Sequence, residues 1–154
     1  MTTEFNQRSG GVSPGQGGQV DMAAAVAEFH SAFNLPMRQL PSAEIDRALA
    51  RLRVALLEEE VSEFVAASQQ GDLIGIADAL ADIVYVAYGT ALTYGIDLDS
   101  ALREVHRSNM SKLGSDGAPL MRGDGKVLKS EHCFPPDIAA VLRRQSPLSP
   151  EPGR

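Results

Sequence analysis

Two groups of carboxylates, Glu59-Glu60-x-x-Glu63 and Asp78-x-x-x-Asp82, stand where a helical apolar stripe should continue. Leu49, Leu52 and Leu56 recur at helical spacing, and Glu59, Glu60 and Glu63 follow on that stripe before Ala66 and Ala67 resume it. Ile74, Asp78, Asp82 and Tyr85 share one face of a second stretch, in which ADALADIVYVAYGTAL is apolar nearly all round. Such a stretch reads as a buried helix with two acids buried in it. If both segments are helices joined at Gln70-Gly71-Asp72, residues equidistant from the turn face each other. Glu63 is then level with Asp78, and Glu59 and Glu60 with Asp82. Carboxylates this close cannot all stay ionised in a partly dry site unless a cation neutralises them or their pKa values rise. Oxygen-only donors with no Cys or His nearby favour a hard divalent ion, Mg²⁺ first and Mn²⁺ second, over Zn²⁺. Glu58 is expected to point outward as ordinary surface charge.

The elements that must position these acids follow from caps and breakers. Asp21 is a plausible N-cap for DMAAAVAEFHSAF, which must stop before Pro36. Ser42 can cap a long second helix running to about Gln70, where Gly71 breaks it. Asp72 can cap a third that ends near Gly95, and Asp97 a fourth, DLDSALREVHRSNMSKL, closing at Gly114. Four helices with short connections predict an all-α, four-helix-bundle-like core. Residues 115–135 then change character: turn dipeptides and Gly123-Asp124-Gly125 predict a small hairpin or an irregular flap. Pro136 suits the first turn of a short terminal helix, PDIAAVLRR. The sequence thus divides into a disordered tail at 1–20, one domain at 21–144 and a second disordered tail at 145–154.

A second set of polar residues lies on the fourth helix. His106, Asn109 and Lys112 step by three, with Arg103 and Arg107 nearby. Spacing alone leaves two readings open, a solvated polar face or a ligand-binding face on which Asn109 bonds a ligand group and Lys112 meets a phosphate oxygen. Lys126 and Lys129 in the flap are candidates for the same task, and Tyr85, on the face of the acids, for substrate contact.

Composition narrows the function classes. A chain of 154 residues with 44% hydrophobic content supports one domain. With 5% aromatics and no Trp, its core must be aliphatic and alanine-rich. A formal charge of -6 argues against a dedicated nucleic-acid binder. The single cysteine, Cys133, excludes an intrachain disulfide framework, fits a reducing compartment, and reads as an ordinary side chain rather than a nucleophile. No signal peptide is evident, and the uncharged run Ile83–Ile96 is too short for a membrane span. The expectation is a soluble, cytoplasmic protein without membrane or nucleic-acid partners. Neither an internal repeat nor a GxxxxGK[ST] phosphate loop is present.

The runs EEEVSEF, DALADIVYVAYG, EVHRSNMSKL and GDGKVLK resemble the all-α nucleoside triphosphate pyrophosphohydrolase superfamily across roughly residues 22–142. That superfamily includes MazG proteins, phosphoribosyl-ATP pyrophosphatases and dimeric dUTPases. The resemblance implies a MazG-type core and Mg²⁺ held by an EExxE and an ExxD motif. It also implies hydrolysis between the α- and β-phosphates to a monophosphate and pyrophosphate. Glu59, Glu60 and Glu63 match the first motif and Asp82 the last acid of the second. This chain departs at Ala79, where ExxD has Glu, and Asp78 is the substitute at hand. By resemblance Glu59, Glu60, Glu63, Asp78 and Asp82 are metal ligands, with Glu59 or Glu60 orienting or deprotonating the attacking water. Asn109 and Lys112 contact the nucleotide, as do His106, Tyr85, Lys126 and Lys129 among the candidates. The substrate expected is a (deoxy)pyrimidine or non-canonical triphosphate such as dUTP. Apolar positions on several faces, Ile76, Leu80, Ile83 and Val84 among them, predict a homodimer or homotetramer. Two rival readings are a non-catalytic nucleotide-binding or regulatory module of the same fold, suggested by Ala79, and a di-iron carboxylate bundle. The latter needs ExxH pairs, and the residue three before His106 is Arg103.

Overall fold

The computed structural model describes residues 20–148, and in it every helix opens on an aspartate. Asp21, Asp46, Asp72, Asp97 and Asp137 cap α1 (Met22–Ala32), α2 (Arg47–Gln70), α3 (Leu73–Tyr94), α4 (Leu98–Met110) and α5 (Ile138–Arg144). Each carboxylate accepts from a first-turn N–H that has no partner within the helix. Three of these caps are the expected ones. The cap of α2 is Asp46 and not Ser42, whose hydroxyl accepts from Glu44 N at 3.0 Å in a turn of its own. The last helix starts after Asp137, so Pro136 precedes the cap rather than filling the first turn. α4 stops at Met110 rather than reaching Gly114, because the Ser111 hydroxyl takes the Ser108 carbonyl at 2.7 Å in place of a continuing backbone bond.

Two glycines end the long helices as expected. Gly71 adopts φ 67° at the end of α2, and Asp72 immediately caps α3, which makes the tight α2–α3 turn. Gly95 adopts φ 72° at the end of α3, and a Cβ there would collide with the Leu40 carbonyl. The 38–42 segment can therefore lie against this end of α3, with Arg38 N donating to Leu92 O and Ser42 N to Tyr94 O.

The fold is all-α, with the long α2–α3 hairpin as its spine. α1 packs on α3, and α4 packs on α5 rather than along the hairpin. Within one chain the helices therefore do not close into a bundle. Among the described residues Val26, Ala79 and Ala91 are the buried apolar ones, whereas Leu73 and Ile74 are 77% and 83% exposed and Val61, Val65, Leu80 and Val84 are open too. The first half of α3 was expected to be buried; it meets only α2, because α1 covers the second half.

The expected flap is two successive tight turns, one at Gly117 closed by an isolated bridge between Leu113 and Pro119 and one at Gly125 closed by a bridge between Met121 and Val127. Its return segment is fixed to α4: Ser108 Oγ donates to Phe134 O, Ser130 Oγ to Ser111 O, and Phe134 N to Ser111 Oγ. Residues 1–19 and 149–154 of the two expected tails lie outside the described residues. Residues 145–148 are tied back, with the Gln145 amide bridging Asp97 N and Gly95 O and Leu148 N donating to Gln39 O.

Candidate active site

The hairpin turn sets the register of the acids. Equal steps from Gly71 place Glu60 level with Asp82, as expected, but Glu63 level with Ala79 rather than Asp78, which falls one step round α3 from that seam. Glu60 is half-buried, and its carboxyl is pushed above the ordinary range. Partial removal from water contributes most, followed by the negative charges of Asp82, Glu63, Glu59 and Asp78. Glu60 thus feels the charges of the acids on both helices.

The acids are not buried, contrary to the sequence expectation. Glu59, Glu63, Asp78 and Asp82 are exposed, as is Glu58, because no third helix covers the turn-proximal half of the hairpin. Among the described residues no three Asp, Glu, His or Cys side chains stand close enough together to hold an ion as they lie. The chemistry of the donors nonetheless fits a hard divalent cation: five carboxylates, no sulfur or imidazole, and a central member that carries the cost of their repulsion. Ala79 is 2% exposed and faces Glu63, so the seam itself offers no fourth acid, and Asp78 must approach from the flank.

Tyr85, one turn past Asp82, meets Phe29 of α1 edge-on, with ring centroids 5.7 Å apart, and Phe29 stacks on Phe33 at 4.4 Å. An aromatic face thus begins where the acids end. Asn109, Lys112 and Lys129 are brought together elsewhere. They line one cavity of about 350 Å³ between α4 and the returning flap, with Cys133 and Phe134 on its wall. Lys112 Nζ donates to Asn109 Oδ1 at 2.6 Å. His106 and Lys126 are exposed and do not line it, nor do Tyr85 or any of the acids. In the first turn of α4 the Tyr88 hydroxyl of α3 donates to Asp99 at 2.6 Å, a bond that pushes the phenol up to about 12.

Sequence reasoning missed a polar cluster farther along the seam. Arg53 is level with Gly89, seven residues before Glu60 and seven after Asp82 respectively. His30 of α1 lies against both: a Cβ on Gly89 would come 2.8 Å from His30 Nε2 and 3.4 Å from Arg53 Nη1. His30 Nδ1 lies 3.3 Å from the Pro36 carbonyl. Burial, then the Arg53 charge, lowers its pKa from 6.5, against a smaller opposing effect of that carbonyl. The stripe read from sequence took Leu52 inward, but Leu52 is 52% exposed and Arg53 is 6% exposed. The signal was present in an arginine four residues after Leu49 and three before Leu56.

Comparison with known proteins places this arrangement among relatives. The sequence model of the phosphoribosyl-ATP pyrophosphohydrolase family matches residues 26–109, a span that contains all five acids and Asn109. An uncharacterized protein, L479, of Acanthamoeba polyphaga mimivirus is 34% identical over 109 residues, covering 69% of this chain. The match spans 41% of the length of that relative. A solved structure assigned as an NTP pyrophosphohydrolase, from Exiguobacterium sp. 255-15, is similar at 27% identity over 82% of this chain and 96% of that one, with a TM-score of 0.44.

Proposed function

The chain belongs to the phosphoribosyl-ATP pyrophosphohydrolase family, and from that premise we propose that it hydrolyses a nucleoside triphosphate between the α- and β-phosphates to a monophosphate and pyrophosphate. The observation that carries the reading is that Glu59, Glu60 and Glu63 on α2 and Asp78 and Asp82 on α3 lie at matching distances either side of the tight turn that joins the two helices. Mg²⁺, or Mn²⁺ in its place, would be held by these carboxylates, and when bound it neutralises charge on phosphoryl oxygens and positions the triphosphate. Glu60, level with Asp82 across the seam, is a candidate proton acceptor for the attacking water. Glu59, beside it and exposed, is the alternative base.

Asn109, Lys112 and Lys129 supply a cationic cavity for phosphate oxygens. Because α4 does not pack along its own hairpin, this cavity serves the acids of a neighbouring copy more readily than those of its own chain. A homodimer or homotetramer would also cover the open apolar face of Val61, Val65, Leu80 and Val84. A deoxypyrimidine or damaged triphosphate such as dUTP is the substrate class we favour. α3 has the length and apolar composition of a membrane span, but Asp78 and Asp82 within it and its pairing with α2 favour a cytoplasmic enzyme.

The test is pyrophosphate release from a panel of canonical and modified triphosphates with Mg²⁺ present. Orthophosphate as the first product overturns the reaction class. Nucleotide binding without turnover would instead support a regulatory module, the reading that Ala79 at the acid position of the seam favours.

A further inference from the structure

A guanidinium placed in the interior without a counter-ion costs stability, and Arg53 is such a group. It is 6% exposed, its Nε is sealed from water without an acceptor, and among the described residues no carboxylate pairs with it. Among the described residues the other buried polar side-chain atom with no partner is Thr90 Oγ1, on the residue that follows Gly89 in α3. The neighbour on the third side is His30, also buried. An apolar residue at position 53 would pack there at lower cost, so the arginine points to a partner that the described residues do not supply.

Its position says what that is. Arg53 lies on the stripe of Glu60, about 10 Å along α2 by helical rise, on the side away from the turn. Tyr85 and the 39% exposed Phe29 stand between the two levels. The order along the seam is therefore carboxylates, aromatic rings, then a donor-only cation. A nucleotide whose phosphates are held at Glu60 places its base over the rings and its far base edge at Arg53. We propose that Arg53 is the residue that reads the base edge of the substrate. Guanidinium has N–H donors and no acceptor, so the edge it accepts carries a carbonyl oxygen and the edge it rejects carries an amine. Uracil and thymine satisfy it at the edge where cytosine and adenine present an amino group. The unmet Thr90 hydroxyl is placed to serve as the second contact. This inference rests on the triphosphate reading above and adds to it the choice of base.

The experiment compares wild type with Arg53→Met and Arg53→Lys. Turnover of dUTP and dCTP is measured by pyrophosphate release, and urea unfolding is followed without nucleotide. Arg53→Met removes the buried charge at similar volume, so its unfolding midpoint stays level or rises. Its kcat/KM preference for dUTP over dCTP falls about tenfold or more. Arg53→Lys keeps the charge without the planar fork and falls between. A third measurement needs no variant: the ¹⁵N signal of Arg53 Nε shifts when a non-hydrolysable dUTP analogue is added and stays put with the dCTP analogue. Unchanged preference in both variants, or an Nε signal indifferent to nucleotide, overturns the inference while leaving the hydrolase reading intact. A lower midpoint with unchanged preference assigns Arg53 a structural role and overturns it also. Wild type inert toward every triphosphate overturns the reading beneath it and this inference with it.

Discussion

The two halves of the α2–α3 hairpin have opposite characters. Near the turn, acids and large aliphatic side chains share an open surface: Glu59, Glu63, Asp78 and Asp82 are exposed, and so are Leu73, Ile74, Leu80 and Val84. Beyond Tyr85 the seam closes under α1, and Arg53, His30, Ala91 and Thr93 are buried among small residues. The first half is a surface awaiting partners, both ions and other chains, and the second is a finished interior with two polar atoms left unmet. Substitutions should therefore cost activity and assembly in the first half and stability in the second, Arg53 excepted, where the expected loss is in base preference.

The largest expected effect is on turnover. Glu60→Gln removes the carboxylate level with Asp82, so kcat should fall by about 100-fold or more, as measured by pyrophosphate release. Thermal unfolding of the metal-free protein should stay level or move upward, since a repelling charge is lost. A marked loss of stability with turnover retained would make Glu60 structural and erase the contrast. Next comes Gly89→Ala in the closed half, where the new Cβ would meet His30 Nε2 at 2.8 Å. Neither His30 nor α3 backbone can yield freely there, so the loss should be about 1–3 kcal/mol, read from urea denaturation. Assembly is the third test. Leu80→Asp places a charge on the open apolar face, and light scattering should show a smaller particle than wild type, with helical content kept. Wild type scattering as a monomer at micromolar concentration would leave that face unexplained.

The smallest effect separates the halves by pH. Burial and Arg53 depress the folded pKa of His30 below 6.5, so between the folded and unfolded values the unfolded chain binds more protons. Stability from neutral His30 is therefore full above 6.5 and is lost as pH falls toward the depressed value. In His30→Gln this part of the decline should vanish, and unfolding midpoints taken at two pH values bracketing 6.5 would show it.

How far the sequence led can be stated residue by residue. Asp21, Asp72, Asp97, Gly71 and Gly95 were legible because caps and left-handed glycines act through bonds a few residues long. The register of Glu60 with Asp82 was legible too, since a tight turn converts sequence distance into register. Burial was not. Periodicity reports which face is apolar but not how many chains are needed to cover it, and here one chain covers only the half of α3 beneath α1. Arg53 was missed for a related reason: it is buried against Gly89 and His30, which come from two other helices and share no periodicity with α2. The placement of Lys129 beside Asn109 and Lys112 depended on the Ser108, Ser111 and Ser130 bonds that fold the flap back, and no local pattern announces those.

The turn at Gly71-Asp72 has a consequence for how such a sequence can change. It measures off Glu60 against Asp82 and Arg53 against Gly89 from one origin, as a hinge pin fixes both leaves of a door. Adding one residue inside either helix between the turn and the acids rotates that arm by about 100° and lifts it by about 1.5 Å, which unlocks every pair at once. Insertions should then be tolerated here only as matched additions to both arms, about seven residues each, close to two full helical turns. Elsewhere, in the hairpin loop around Gly125 or ahead of Asp46, length can drift freely. An alignment of relatives should show gaps in those loops and an ungapped block from Arg53 to Gly89.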